Sequence, residues 1–462
     1  MSSEQLLDTK PWPLARPRPR PAAGRVAEVA VLAYPVIAQT IAETAMHVID
    51  SAMIGKLGSV ELGAIGFSGI WIWTLFVPFA GIATGVQVFV SRHDGAGEPE
   101  RCGPWAWQAL WASVPAMALW AGLVALLLPA LYAAIGPAAE LQSVALSYSL
   151  MRLPSGPAVV ANYALIAFFR GLGDTRTPLR ASVVGIAVNA LVAWVLIFGK
   201  LGAPALGTIG AAIAQNLGSF TICGLLLHAL LHKHMRERYH TQPVGPDRAA
   251  ITRFLRTSAP IGGQWLLDMT TFAIFTSIVA RMGAASMAAS QAMLQLLSLS
   301  FMQAVALASA SGTLVGRYIG AGDPEAAGRS FRSAQLLALG LAALVATLFL
   351  SVPERLLGIF SEDPEVLSLA RPLLALGALF QLVDAIGIVA AGSLRGAGDT
   401  RWPFVMQAGL GWFLRLPLVY VGAVVLERGV FGAWLGELIY LSVLTLVLVL
   451  RFRTGEWRSM RI

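Results

Sequence analysis

The residues of this chain best able to do chemistry are acids set singly inside apolar stretches. Glu43, His47 and Asp50 are spaced i, i+4, i+7, so one helix would carry all three on a single face. Asp268 and Asp384 each stand alone in later apolar stretches, as do Arg415 and Glu437. A charged side chain at mid-bilayer costs about 3 kcal/mol or more, so such groups face a cavity or a partner. Two carboxylates in a low-dielectric cavity cannot both stay ionised unless a cation joins them. Asp268 and Asp384, on helices able to meet inside one lobe, would therefore take up a proton or a hard cation such as Na⁺, for which oxygen ligands are suited. Glu43, His47 and Asp50 would form a second protonatable cluster whose members titrate together. Arg415 and Glu437 could pair with each other or lie close to an interface.

The elements that must position these groups are helices in a membrane. The chain has 462 residues, of which 56% are hydrophobic and 13% charged, with a mean hydropathy of +0.70. Soluble domains carry about twice that share of charge. Twelve apolar stretches, at 29–55, 61–90, 105–132, 141–168, 178–199, 207–231, 253–280, 286–315, 331–352, 366–392, 403–425 and 430–450, are each long enough to cross a bilayer as a helix. Fold class is thus all-α, a polytopic membrane protein of twelve transmembrane helices. Arg16-Pro17-Arg18-Pro19-Arg20-Pro21 reads as part of a disordered basic arm, not a signal peptide. Cys102 and Cys223 are too few for a disulfide framework and read as small packed residues.

The chain also contains itself twice. Arg170-Gly171-Leu172-Gly173-Asp174-Thr175-Arg176-Thr177-Pro178 returns 225 positions on as Arg395-Gly396-Ala397-Gly398-Asp399-Thr400-Arg401-Trp402-Pro403. Gly95-Ala96-Gly97-Glu98-Pro99-Glu100 returns at the same offset as Gly320-Ala321-Gly322-Asp323-Pro324-Glu325, and Pro35, Gln39 and Glu43 as Pro260, Gln264 and Asp268. One gapless register across both halves predicts two six-helix lobes related by an internal repeat. The expected organisation is a basic cytoplasmic arm at 1–28, lobes at 29–231 and 253–450, a connector at 232–252, and a tail at 451–462. The acids have diverged between the halves: Phe272 and Phe275 stand where the first half has His47 and Asp50, and Val159 where the second has Asp384. The lobes are therefore expected to do different jobs.

Lys and Arg sort by alternate loops. The arm, the even-numbered loops and the tail hold most of them, with the largest group at Lys233, Arg236, Arg238, Arg248, Arg253 and Arg256. The opposite loops hold only Lys56, Lys200, Arg281, Arg355 and Arg428. By the positive-inside rule both termini are cytoplasmic. The net charge of +8 is then topological, which argues against a nucleic-acid partner.

Taken together, the paired six-span halves, the R-G-x-G-D-T-R loops and the first-span run Val48-Ile49-Asp50-Ser51-Ala52-Met53-Ile54-Gly55 resemble the multidrug and toxic compound extrusion (MATE) family, from about Ala27 to Leu450. The resemblance is nearest to the NorM-like branch, in which a first-span Asp, a seventh-span Glu or Asp and a tenth-span Asp carry ion coupling. Here these are Asp50, Asp268 and Asp384. The seventh-span match rests on Pro260-Ile261-Gly262 with an acid eight residues after the proline, and the tenth on Phe380-Gln381-Leu382-Val383-Asp384 just before Arg395-Gly396. The tenth-span acid argues against the DinF-like branch. The chain departs from the pattern in having Asp268 for the commoner Glu, and Phe380 for a tyrosine that can lie one turn before the tenth-span acid. A Na⁺ site at Asp268 and Asp384 would lose an oxygen ligand there, whereas a proton needs no such cage.

The resemblance implies an antiporter of the inner membrane, not an enzyme, that works as a monomer without cofactor. It would export amphipathic organic cations by alternating access in exchange for Na⁺ or H⁺. An apolar cavity with acids suits a lipophilic cation, and aromatic faces add quadrupole attraction. Candidate lining residues in the first half are Met53, Trp71, Trp73 and Phe76. Those in the second are Trp265, Met269, Phe272, Met293, Gln295, Met302 and Phe380. Pro35 and Pro260 inside spans give points for bending. Arg170, Asp174, Arg176, Arg395, Asp399 and Arg401 read as structural and gating groups, with Asp174 and Asp399 placed to cap a helix or pair with Arg. A pump driven by nucleotide lacks its G-x-x-x-x-G-K-[ST] loop. A membrane transferase would want clustered acids at a membrane face, whereas those here are single and mid-span. A lipid-linked saccharide flippase of the same wider superfamily is the competing reading, and the mainly acidic mid-span groups weigh against it.

Overall fold

The computed structural model of the chain describes residues 24–135, 139–360 and 363–460; most of the expected basic arm and Arg461 lie outside them. Among the described residues every regular element is helical, since a chain in hydrocarbon must satisfy its backbone groups within each segment. Helices occupy all twelve expected stretches. Ten are long and apolar enough to cross a membrane: Val26–Gly55, Ser59–Ala96, Pro99–Ile135, Arg176–Phe198, Gly207–Leu230, Ala284–Gly320, Pro324–Ser351, Pro364–Gly396, Arg401–Val425 and Gly429–Thr454.

The other two differ for identifiable reasons. The fourth stretch is broken into Ala139–Arg152 and Gly156–Gly171 by a 3₁₀ turn at Leu153–Ser155, where Pro154 supplies no backbone donor. The seventh, Arg248–Ala280, is 33 residues long, but Arg248, Arg253, Arg256 and Asp268 dilute its hydropathy. The second helix overruns its expected end because Ser91-Arg92-His93-Asp94 continues it past the apolar run. The eleventh carries two π-helical turns, at Gly411–Arg415 and Val421–Val425.

The repeat extends to backbone conformation. Gly97 and Gly322 have φ of 76° and 73°, and Gly173 and Gly398 have 76° and 84°. Each pair ends or follows a helix with a left-handed residue, a conformation that only glycine adopts without strain.

The described chain forms two compact units. The first comprises residues 35–262. Its fifth and sixth helices approach closely at Gly218, where an added Cβ would fall 2.9 Å from Cβ of Asn189. The segment leading into the seventh helix is tied to the third. Trp107 Nε1 donates to the Thr241 carbonyl at 3.1 Å, Trp111 Nε1 to that of Val244 at 2.9 Å, and Gln108 Nε2 to that of Gly245 at 2.9 Å.

The second unit comprises 24–34 and 263–460. Tyr318 Oη donates to the Glu28 carboxylate at 2.7 Å, the Gly24 N–H donates to Glu28 at 2.8 Å, and Ser333 Oγ donates to the Gly24 carbonyl at 2.8 Å. Its eighth and tenth helices meet through Ala308, Gly312, Gly392 and Gly396, small residues four apart that let two backbones approach. Ser311 and Ser393 share a 2.7 Å hydrogen bond at that seam. The first helix thus changes unit at Tyr34/Pro35 and the seventh at Gly262/Gly263.

Candidate functional site

Each unit carries its own polar centre: Asp50, Arg415 and Glu437 are buried, Asp268 and Asp384 half-buried, and Glu43 and His47 exposed. In the first unit the first helix presents Glu43, His47 and Asp50. Asp50 is 5% exposed and lies among amides: Gln215 Nε2 donates to Oδ2 at 2.9 Å, and Asn189 Nδ2 reaches both carboxylate oxygens at 3.4 Å. Tyr148 Oη donates to Gln215 Oε1 at 3.0 Å, which holds that amide with its nitrogen toward Asp50. Arg152 donates to Asn216 Oδ1 at 2.7 Å and to Ser155 Oγ at 2.9 Å, near enough for its charge to act on Asp50.

Two to three helical turns from Asp50, Gln39 Nε2 donates to Glu43 Oε1 and to Ser182 Oγ, both at 3.0 Å. Arg170, which opens the first R-G-x-G-D-T-R loop, donates to Gln39 Oε1 at 2.9 Å. His47 is an electrostatic neighbour of both acids. The first centre therefore has two carboxylates and two guanidiniums.

The second unit repeats half of this arrangement and departs from the rest. Gln407, the repeat mate of Ser182, donates from Nε2 to Asp268 Oδ1, and Arg395, the mate of Arg170, lies near enough to act on Asp268. Arg415 binds Glu437 through Nε–Oε2 and Nη2–Oε1, each 2.7 Å, and also donates to Thr271 Oγ1. Its guanidinium lies 5.3 Å from the centre of the Tyr440 ring. Asp384 differs from all of these: its charged neighbours are Glu437 and Asp268, and among the described residues no donor reaches its carboxyl group. The second centre holds three carboxylates against two guanidiniums, and Asp384 is the one left uncompensated. An ionised carboxyl so placed is unfavourable unless a proton or another cation joins it. Among the described residues no three His, Cys, Asp or Glu side chains converge on one point, so a metal-type cage of such groups is not formed.

The loop residues divide their work. Asp174 accepts hydrogen bonds from the backbone N–H groups of Arg176 and Thr177, both at 3.1 Å, and so caps the fifth helix. Asp399 instead pairs with Arg451 at 2.9 Å, whose guanidinium also covers the Trp402 ring at 5.0 Å. Arg176 and Arg401 begin the fifth and eleventh helices. Pro35 and Pro260 lie inside the first and seventh. In the loop before the third helix, a 3.1 Å hydrogen bond with His93, aided by the Arg101 charge, holds the Glu98 carboxyl below its ordinary value against the effect of burial.

The candidate lining residues scatter. Phe76 is buried, with its ring about where a Cβ on Gly156 would fall, and Met293 is buried in the second unit's core. Phe272 and Phe380 pack on that core, with the Phe380 ring 5.8 Å from Trp434. Trp71 packs 6.4 Å from Phe67 and Trp73 6.1 Å from Tyr163. Met53, Trp265 and Met269 are half-buried; Gln295 and Met302 are exposed.

Sequence reasoning missed Asn189, Gln215, Gln407 and Arg152, and gave Arg170 and Arg395 no part in the acid centres. A signal was present: Gln39, Glu43 and Arg170 recur together as Gln264, Asp268 and Arg395.

Known proteins agree with this architecture. A protein named Probable multidrug resistance protein NorM from Chromobacterium violaceum is 28% identical over 429 residues, 91% of this chain and 92% of its own. Multidrug resistance protein NorM from Burkholderia vietnamiensis is 29% identical over 436 residues, 92% of this chain and 93% of its own. The solved structure of a MOP superfamily transporter from Pyrococcus furiosus Vc1, described as having a binding pocket of reverse polarity, superposes with a TM-score of 0.86. It is 19% identical and covers 95% of this chain and 98% of its own, so the two share a fold. The MatE family model matches residues 35–195 and 260–421, two segments that begin 225 residues apart, in the register of the internal repeat. This all-helical, multi-pass, two-lobed chain belongs to the MatE family.

Proposed function

We propose that this protein is a multidrug exporter of the inner membrane that exchanges amphipathic organic cations for H⁺ or Na⁺ by alternating access, as a monomer with both termini cytoplasmic. The relatives named multidrug resistance proteins support drug export. The observation that carries ion coupling is Asp384, a carboxyl inside the tenth helix that has two other acids as its charged neighbours and meets no donor among the described residues. An incoming ion would neutralise it and release an organic cation held by its charge; departure of the ion would restore the anionic site. Asp268, an electrostatic neighbour of Asp384 held by Gln407, would share this ion, and Asp50, held by Gln215, would be the ion-coupling acid of the first unit together with Glu43 and His47. Met, Gln and aromatic side chains such as Met269, Phe272 and Phe380 would give the adaptable packing that broad specificity needs.

The fold alone does not set the sign of the cargo, since a transporter of the same fold carries a pocket of reverse polarity. The arginines Arg152, Arg170, Arg395 and Arg415 would favour an anionic cargo, as in a lipid-linked saccharide flippase. Each of them, however, lies beside an acid. The residual charge is negative, which favours a cation.

The test uses everted membrane vesicles loaded with ethidium, with a Na⁺ or a pH gradient imposed separately. Wild type should move ethidium with one gradient, and Asp384→Asn should abolish that movement. Movement that needs neither gradient nor Asp384 would sink the coupling scheme. No movement in correctly inserted protein would bring the flippase reading forward.

A further inference from the structure

Four of the chain's six histidines, His228, His232, His234 and His240, fall in one stretch with Lys233, Arg236 and Arg238. This stretch begins in the last turn of the sixth helix and includes the short helix Lys233–Tyr239. All seven of these side chains are exposed. We infer that this patch is a binding surface for the headgroups of anionic phospholipids, at the rim of the first unit where the sixth helix leaves the membrane.

A basic loop on one side of a membrane protein needs no ligand to explain it, because insertion alone favours such loops. Two features go beyond that. The first is the charge balance. Several basic residues elsewhere are matched, as in Arg101 with Glu98 at 3.6 Å, Arg329 with Asp323 at 3.8 Å and Arg451 with Asp399 at 2.9 Å, and the exposed Arg180, Arg332 and Arg453 lie on three different helices. Here the nearby acid is Glu237, which lies 3.8 Å from Lys233. Arg236 and Arg238 keep their charge for an outside partner, with the Arg238 guanidinium 5.2 Å from the Tyr239 ring.

The second feature is rigidity. Tyr239 is buried, Thr241 Oγ1 donates to the Leu230 carbonyl at 2.5 Å, and Trp107 Nε1 donates to the Thr241 carbonyl. The Tyr239 and His240 carbonyls lie so close over Gly103 that no side chain would fit there. The patch is therefore pinned to the head of the third helix, beside Trp107 and Trp111, side chains of the kind that settle at the level of lipid headgroups. Exposed ammonium, guanidinium and imidazole N–H groups carried on a backbone anchored at that level match the phosphate of an anionic lipid. Clusters of this kind gain about 1 kcal/mol per Lys or Arg from an anionic surface.

The experiment is native mass spectrometry of the full-length protein in detergent, titrated with phosphatidylglycerol or phosphatidylcholine. Wild type should bind phosphatidylglycerol preferentially. K233Q/R236Q/R238Q should lower that affinity about tenfold or more while leaving phosphatidylcholine binding unchanged. R236Q alone gives a milder variant, expected to weaken it about threefold. The charge-matched control R180Q/R332Q/R453Q, made at scattered exposed sites, should change it less than about twofold. Equal losses in the two triple variants, or no preference for phosphatidylglycerol in wild type, would overturn the assignment. So would displacement of the lipid by inorganic phosphate at millimolar concentration, which would mark a site for free phosphate.

Discussion

Arg415 and Glu437 are joined by two hydrogen bonds of 2.7 Å within the second unit, both side chains less than a tenth exposed. A buried pair of this kind contributes little net stability but is expensive to break, because the survivor is left as an uncompensated charge. We expect Arg415→Met or Glu437→Leu alone to destabilise by about 3–5 kcal/mol, and the double replacement to recover more than half of that loss. Thermal unfolding of the four proteins in one detergent closes the cycle. Additive losses in the double variant would mean that the two groups have other partners.

Asp384 should behave in the opposite way. Replacing an acid that faces Asp268 and Glu437 by Asn removes repulsion without removing a hydrogen bond. Asp384→Asn is expected to raise the apparent melting temperature by a few degrees, on the order of 1 kcal/mol, in the same protein that has lost ion-driven transport. A fall in melting temperature would show that the carboxylate has a bonded partner in the resting protein.

The seam between the eighth and tenth helices gives a steric test. A Cβ on Gly392 would fall 2.6 Å from the Ala308 carbonyl oxygen, and one on Gly312 would fall 2.7 Å from that of Gly392. Backbone cannot yield as a flexible side chain can, so Gly392→Val should cost about 2–3 kcal/mol or prevent accumulation of folded protein. Gly409→Val in the eleventh helix, where a Cβ meets nothing, serves as the tolerated control. Size-exclusion profiles of the two variants compare them directly.

The loop tie between His93 and Glu98 is expected to depend on pH in one direction. The folded-state value of Glu98 is depressed below its ordinary 4.5, so its stabilising contribution is complete above that value and is lost as pH falls through the lower, folded one. Hydrogen exchange of the Gly97–Arg101 segment should therefore be slow at neutral pH and accelerate below about pH 4.5, once corrected for intrinsic exchange. Glu98→Gln should exchange at the faster rate throughout. A profile in which wild type and variant coincide at neutral pH would remove the carboxylate from this role.

Much of the architecture could be read from residue order alone. Twelve apolar runs, the 225-residue register and the position of each mid-span acid are local or periodic properties, and these survive without knowledge of how helices rotate against one another. What could not be read was the identity of partners. Gln215 meets Asp50 across 165 residues, and Gln407 meets Asp268 across 139. Such pairings depend on helix rotation and tilt, which no period in the sequence reports. Arg170 was legible as a loop residue, yet its long stem carries the guanidinium back to Gln39, a reach that turn chemistry does not predict. Pro154 signalled the break in the fourth span, but the apolar run around it concealed the signal.

The fastening of Gly24 and Glu28 to Tyr318 and Ser333 has a consequence for biosynthesis. Glu28 and Gly24 must wait for partners 290 and 309 positions later in the chain. At about 5–20 residues per second, the ribosome reaches Ser333 on the order of 15–60 s after Gly24. Throughout that interval the head of the first helix has no place to dock, although the helix it begins already belongs to the first unit from Pro35 onward. Completion of the second unit therefore closes a ring in time, joining a segment of the nascent chain to partners made about 300 residues after it.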